Sequence, residues 1–507
     1  NVILAVDFLS FDEGQSKQLA EMSRATPLVF AGVPKVGGTL AKLLGAGSAT
    51  LDEEPKLRRL KFSAHPIMRD IQQRELRMKY VPALFTGNAK PHAPWKQIGE
   101  ISLWDNQRMG PGLVVHAGKP RKVFFPFNLG KVFAFHCCNH PNLRQDLDVF
   151  APTPHATVDI LRTLLRNAIL WANPKCIMAR PYYWPVRNGK LPQGVLLTSH
   201  DLCGFSPEGL AFIKKTCREA GTVTTFFDYP PFRLKRGDPG PHDVALHVPV
   251  ATSLDVIRKR KRELEKLHGR EFRGWRRHGA SLQKCIPSIW HKMAKVGVQW
   301  CADMAVQSHP WMVESEGMAT TNRLPYRLFD ANRGTLIGLL EIPAFDSGDC
   351  ERLTNIHYGR RVDWKTFVAN VEGKLDFVRR HNLCTDYLIH GWTAGVQKEA
   401  AHTYGAKDCQ RMLKLIIKMA KQRGFAVMGH EEIYDWWTLR EQVEVTAGDD
   451  GIEVSMPQTE EQVAIEFLSF GPLPERISVG GRSVRLKPWP QRQSAVLVLT
   501  ESETENP

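Results

Sequence analysis

Two apolar runs in this chain stop at titratable residues. Val195-Leu196-Leu197-Thr198-Ser199 ends on His200-Asp201 and is followed by Leu202-Cys203-Gly204, while Leu388-Ile389 ends on His390. Two more imidazoles stand in comparable places, His247 after Val244-Ala245-Leu246 and His278 after Trp275-Arg276-Arg277. A carboxylate, a thiol and imidazoles are the groups that move protons or hold a divalent ion. An apolar strand ending in such residues is how an α/β barrel displays its chemistry, because loops at the C-terminal strand ends build the site. The chain therefore reads as an enzyme.

The elements that must position these groups come from the hydrophobic pattern. Between about residues 193 and 440, apolar strand candidates alternate with helical stretches. They are Gly194 to Thr198, Thr222 to Phe227, Val244 to His247, Glu271 to Trp275, Val298 to Ala302, Leu336 to Ile342, Tyr387 to His390 and Phe425 to Met428. That alternation predicts an α/β fold whose centre is a distorted (β/α) barrel of seven or eight strands. Residues 1–173 carry apolar strands at Val2 to Phe8 and Pro27 to Gly32, a late hairpin from Leu113 to Phe127 and a closing amphipathic helix from Asp159 to Trp171. This half is similar to glutamine-amidotransferase-like, flavodoxin-type domains, but shows no glycine-flanked cysteine on a strand-to-helix elbow and so lacks their nucleophile. His136-Cys137-Cys138-Asn139-His140 reads as a strand end and loop, since adjacent cysteines on a strand point to opposite faces and chelate poorly. Residues 174–192, rich in proline and aromatics, predict a linker. Residues 441–507 alternate with period two around glycine turns, which predicts a small antiparallel, β-sandwich-like module.

Composition bounds the rest. The 507 residues predict two or three domains, and 43% hydrophobic with 24% charged residues is a soluble, globular balance. No run approaches the roughly 18 to 20 apolar residues that cross a bilayer. The chain opens at Asn1 without methionine, so the compartment stays open: cytoplasmic, or extracytoplasmic with a signal segment absent from this chain. The net charge of +15 predicts attraction to anions. Much of it sits in Arg258-Lys259-Arg260-Lys261-Arg262, which reads as the solvated face of a helix with Ile257, Leu264 and Leu267 inward; no nucleic-acid recognition motif accompanies it. Ten scattered cysteines without a CxxC pair predict individual buried thiols, and the sequence leaves the oligomeric state open.

With the residues in view, the middle region resembles the polysaccharide deacetylase superfamily, the NodB-homology fold of carbohydrate esterases. It is most similar to the branch whose first motif reads Thr-His-Asp-Val-Asp-Gly. His200-Asp201-Leu202-Cys203-Gly204 stands in that place. Asp243-Val244-Ala245-Leu246-His247 resembles the family's Glu-Ile-Gly-Leu-His strand, and Gly274-Trp275-Arg276-Arg277-His278 its Gly-x-Arg-x-His element. Trp290, Gly297 to Asp303, Leu340-Glu341-Ile342-Pro343, Leu388-Ile389-His390 and the segment Glu432 to Arg440 follow in the family's order.

The resemblance implies metal-dependent removal of an N- or O-acetyl group from a carbohydrate, a bacterial polysaccharide in the family's usual setting. It implies a divalent ion as cofactor, with zinc suited to the residue types. Carried over by position, Asp201 would be the base or a metal ligand, His247 and His278 imidazole ligands, Arg276 the cation that steadies the base, and His390 the general acid. Trp290, Trp392, Asp303 and Glu341 would line the substrate side, or the two acids would orient histidines. The chain departs from the pattern at one carboxylate. Aligning His200 with the family's histidine puts Cys203 at a metal-binding aspartate. Aligning Thr198 with the threonine of the Thr-Phe-Asp-Asp form instead puts His200 at the base and Asp201 at the metal. Two rivals remain at this level: a non-catalytic glycan-binding barrel without its ion, and a glycoside hydrolase pairing Asp201 with Asp303 or Glu341 at about 5 to 10 Å.

Overall fold

The computed structural model describes the chain apart from residues 1, 7–11, 36, 45–49, 53–57, 73, 79–82, 86–93, 104–107, 139–156, 205, 250–252, 279–286, 304, 307–318, 321, 331–332, 344–346, 349–362, 392–393, 395–405, 449–450, 480, 490–493 and 500–507. Its centre is a ten-stranded sheet: β1 (Val195–Asp201), β2 (Thr225–Asp228), β3 (Asp243–Pro249), β4 (Gly274–His278), β5 (Trp300–Cys301), β6 (Tyr326–Asp330), β7 (Thr335–Glu341), β8 (Ser347–Gly348), β9 (Cys384–Leu388) and β10 (Ala426–Met428). The order is β6-β7-β5-β4-β3-β2-β1-β9-β8, with β10 also on β1, and every pair except β6–β7 is parallel. Parallel neighbours need long crossovers. Helices supply most of them: α1 (Pro207–Ala220), α2 (Leu254–His268), α3 (Pro287–Lys295), α4 (Trp364–His381) and α5 (Ala406–Gln422), while α6 (His430–Glu441) follows the last strand, β10.

Local sequence explains these elements. All seven residues of β1 are buried, as a strand covered on both faces requires. Ser206 caps α1 by accepting from the Gly209 N–H, Pro207 opens the helix, and Gly221 closes it at φ 59°. Ile257 and Leu264 of α2 point inward as its spacing predicts, with Leu267 only half-buried.

The sheet is strongly curled. Arg276 on β4 lies three strands from β1 and four from β9, about 14 and 19 Å across a flat sheet at roughly 4.8 Å per strand. Yet its guanidinium bonds Ser199 on β1 at 2.8 Å and Asp386 on β9 at 2.7 Å. Only a concave face lets one side chain reach both. Among the described residues no ladder joins β6 to β8, so they form a curled sheet of ten strands where a distorted (β/α) barrel of seven or eight was expected.

Residues 1–173 also differ from expectation. Ile3–Val6, Leu28–Ala31 and Lys122–Phe125 pair in parallel, but Arg108–His116, Trp95–Leu103, Arg58–Phe62 and Glu75–Met78 continue the same seven-stranded sheet antiparallel. Flavodoxin-type order needs a helical crossover between each pair of strands. Among the described residues from Arg58 to Phe125 the one helical element is a 3₁₀ turn at Pro66–Met68, and the strands pair antiparallel with their neighbours. Cys137 and Cys138, read as a strand end, finish the helix Leu129–Cys138.

Residues 174–192 are more than a connector. Met178–Pro181 pairs with Val463–Leu468, and Tyr182 and Trp184 are fully buried, bonding the Pro192 and Asn382 carbonyls. The C-terminal segment forms two four-stranded sheets, one of which includes that strand, around Val463, Ile465, Phe467, Leu497 and Leu499. No described helix is long and apolar enough to cross a membrane.

Candidate active site

Side-chain parity divides the strand ends into two sets. Along β1, residues two apart share a face, so Ser199 and Asp201 point into the concavity and His200 points away. Arg276 donates from Nη1 to both Ser199 Oγ (2.8 Å) and Asp201 Oδ1 (3.2 Å). It also donates from Nη2 to Asp386 Oδ2 (2.7 Å) and from Nε to the Ala302 carbonyl (3.0 Å), with Phe227 beneath it at 3.9 Å. Ser199 Oγ donates on to Asp386 Oδ2 at 2.8 Å. Two buried carboxylates thus share one guanidinium.

Next to Asp201 lies a set of metal-ligand types. One ligand atom each of Cys203, His247 and His278 falls within 4.8 Å of the others. His247 Nδ1 is 3.1 Å from the Arg276 carbonyl, which only accepts, so the ring proton is on Nδ1 and the Nε2 lone pair faces Asp201 Oδ2 at 3.5 Å. His278 meets His247 edge-on at 5.1 Å and packs against Tyr229 at 4.3 Å. The loop carrying Tyr229 is anchored by Asp228, whose buried carboxylate accepts from the Arg233 and Leu234 N–H groups and is pushed up by burial to about 6. Gly391 lies close against Leu202: a Cβ there would sit 2.9 Å from Leu202 Cδ2, so that side chain would have to shift. Its N–H donates to the Asp201 carbonyl at 3.3 Å, which draws the segment after β9, with His390, against the Asp201 turn.

The electrostatics suit a cation. Burial pushes His247 down to about 4, with Asp201 opposing, and burial also lowers His278. Both are therefore neutral imidazoles at neutral pH. Asp201 is buried, which works against its charge, but His247, Arg276 and His390 outweigh that and hold it below its ordinary range. Two neutral imidazoles and a half-buried thiol fit a borderline-soft ion such as zinc, with Asp201 beside them as an ionised carboxylate.

The second set is a separate buried network. Arg277 Nη2 and Trp290 Nε1 donate to Asp303 Oδ2 at 2.7 and 3.1 Å, while Glu341 accepts from the Asp303 N–H (3.0 Å) and the Cys301 thiol (3.0 Å). Trp290 and Glu341 have no exposed surface and Asp303 is 3% exposed, so these three do not line a substrate surface as expected; they brace the Arg277 side of β4. Nor do Asp303 and Glu341 orient the site histidines. The same correction applies to His200, a candidate base, which is fully buried on the far face with Nδ1 on the Ile389 carbonyl (2.7 Å) and its ring against Phe226. Trp392 lies outside the described residues.

No family model matches the chain, and neither does any curated protein. Solved structures do. One is a proposed polysaccharide deacetylase from Mycobacterium smegmatis (14% identity, TM-score 0.36, covering 52% of this chain and 94% of that one). Another is Agd3, described as a novel carbohydrate deacetylase (10%, 0.34, 92% and 81%). A third is a CE4 family pseudoenzyme from Bacillus anthracis (12%, 0.27, 48% and 67%).

Three participants escaped the sequence reading. Asp386 stands four residues before His390, on the same face of an extended chain, a signal that period two offers. Ser199 is likewise two before Asp201. His430, stacked on Trp300 at 5.2 Å with Nε2 3.8 Å from Asp386, opens α6 and carries no strand-end signal.

Proposed function

We propose that this site removes acetyl groups from a carbohydrate by metal-assisted hydrolysis. The observation that carries the reading is the convergence of Cys203, His247 and His278 beside an ionised, arginine-held Asp201 at the C-terminal ends of β1, β3 and β4. Those three residues would hold a divalent ion, which when bound supplies Lewis acidity toward the acetyl carbonyl and a lower pKa for water.

The remaining chemistry belongs to the chain's own groups. Asp201 keeps Oδ1 on Arg276 and turns Oδ2 toward the cluster, so it takes the proton of the attacking water. Arg276 fixes that carboxylate, and Asp386 with Ser199 fixes Arg276. His390, drawn against the same turn, returns a proton to the leaving amine or alcohol as the bond to the acetyl carbon breaks. Asp201 joined to Arg276 supports the alignment in which it is the base and Cys203 takes the metal-binding aspartate's place. A two-carboxylate glycosidase is disfavoured, because Asp303 and Glu341 are engaged elsewhere.

The test is acetate release from acetylated amino-sugar oligomers with and without chelator. Chelator-sensitive release that disappears in Asp201→Asn supports the reading; oligomer binding without acetate from metal-loaded protein supports the non-catalytic alternative.

A further inference from the structure

The flank below the site carries a basic furrow. Helices α1 and α5 lie side by side and parallel: Lys414 stands over the Phe212 ring at 5.3 Å near one end, and Lys421 bonds the Ala220 carbonyl near the other. Between them is a groove of about 410 Å³ whose lining includes Phe212, Leu415, Arg411, Lys414 and Lys418 and no carboxylate. The three cations are exposed and spaced i, i+3, i+7, a single stripe about 10 Å long at 1.5 Å per residue. The other basic helix, α2, is different: Arg258, Arg260 and Lys261 pair with Asp255, Glu263 and Glu265 on the same helix. Its three carboxylates offset only half of its six cations, leaving Lys259, Arg262 and Lys266 exposed on a helix face, whereas Arg411, Lys414 and Lys418 line a groove.

The groove also has a direction. Helix α1 follows β1 with Asp201 and Cys203, and α5 follows β9 with His390, so both helices start on the rim side. We infer that the furrow between α1 and α5 binds an acidic polysaccharide, one bearing carboxylates along its chain, and leads that chain to the rim. This rests on the deacetylase reading and names its substrate class: a glycan carrying both acetyl and carboxylate groups. A row of exposed cations along a shallow, open furrow beside the half-buried Phe212 and Leu415 suits a chain with apolar ring faces and anionic edges. Nucleic acid would want aromatic faces to stack on, whereas the furrow's one ring lies under Lys414 and the nearby Trp364 lies under Arg411 at 3.8 Å.

Binding of fluorescein-labelled oligogalacturonate, measured by anisotropy in the presence of chelator, tests this without involving a metal. Arg411→Glu/Lys414→Glu/Lys418→Glu should weaken binding about tenfold or more, with affinity falling as salt rises. Lys259→Glu/Arg262→Glu/Lys266→Glu on α2 makes the same change in net charge at exposed positions and should cost less than about threefold; circular dichroism checks both folds. Equal weakening by the two triples would overturn the proposal, since net charge alone would then explain binding. So would unchanged binding in the groove triple, or a groove triple that loses phosphatidylserine vesicles or single-stranded RNA but keeps oligogalacturonate. Groove-dependent binding by a protein that releases no acetate would support the furrow and count against the deacetylase reading.

Discussion

Replacing Arg276 by methionine should be among the most damaging single changes in this protein. The guanidinium is 2% exposed, donates to Ser199, Asp201, Asp386 and the Ala302 carbonyl, and lies on Phe227. Methionine keeps an apolar stem of similar reach and removes every donor, leaving two buried carboxylates without their shared counter-ion. Breaking a buried pair by removing one partner costs about 3–5 kcal/mol. At about 1.4 kcal/mol per decade that is at least a hundredfold in the folded-to-unfolded ratio. Adding Asp386→Asn removes one of the stranded charges, so the double variant should recover about 1–3 kcal/mol over Arg276→Met, a coupling that two independent sites would not show. Urea melts followed by tryptophan fluorescence on metal-free protein at pH 7 measure all four corners of the cycle. A single variant within about 1 kcal/mol of the parent, or a double variant equal to the sum of the two singles, would refute the shared-cation account.

Other outcomes follow from the same geometry. Asp201→Asn should lower acetate release by about 10²–10⁴ while metal stoichiometry stays at the parent value, and coincident loss of both would make Asp201 a ligand rather than the base. His390→Asn should slow release of a poor leaving group such as an amine far more than that of an activated aryl acetate; equal losses on both would deny it the acid role. Cys203→Asp should restore a carboxylate to the cluster and shift preference from zinc toward harder ions, read as a weaker zinc affinity in competition with a chromogenic chelator. For the metal-free protein, His247 lies at about 4 against an ordinary 6.5, so the unfolded chain takes up its proton first. Stability is therefore lost as pH falls from about 6.5 to about 4, by about 3 kcal/mol at 1.36 kcal/mol per pH unit, and His247→Gln should flatten that part of the profile.

Much of the central domain was legible before any coordinates. Each of the eight apolar segments expected between 193 and 440 overlaps a strand, because buried parallel strands read as short apolar runs bounded by helical periodicity. The boundaries were less so. The segment expected at Glu271 to Trp275 runs from Gly274 to His278, which puts Arg276 and His278 on the strand rather than after it. Asp201, His247, His278, Arg276 and Cys203 do converge, and the errors came from treating sequence neighbours as spatial ones. His200 adjoins Asp201 in the chain but points to the opposite face, and Trp290, Asp303 and Glu341 close on Arg277 instead of the cluster. Strand parity alone would have separated His200 from Asp201. The curl that brings Arg276 to Asp386 could not be read from periodicity, because it depends on how all ten strands stack. The flavodoxin expectation for residues 1–173 missed for a related reason: the described strands from Arg58 to Phe125 pair antiparallel, with no crossover helix among the described residues between them.

The central claim is that one thiolate and two imidazoles of this chain share a single divalent ion. X-ray absorption at the zinc edge on stoichiometrically loaded protein tests it most directly. The account predicts one sulfur and two imidazole nitrogens in the first shell, with the sulfur lost in Cys203→Ser. A shell of oxygen donors only, or a protein that takes up no zinc at equimolar concentration, would contradict it.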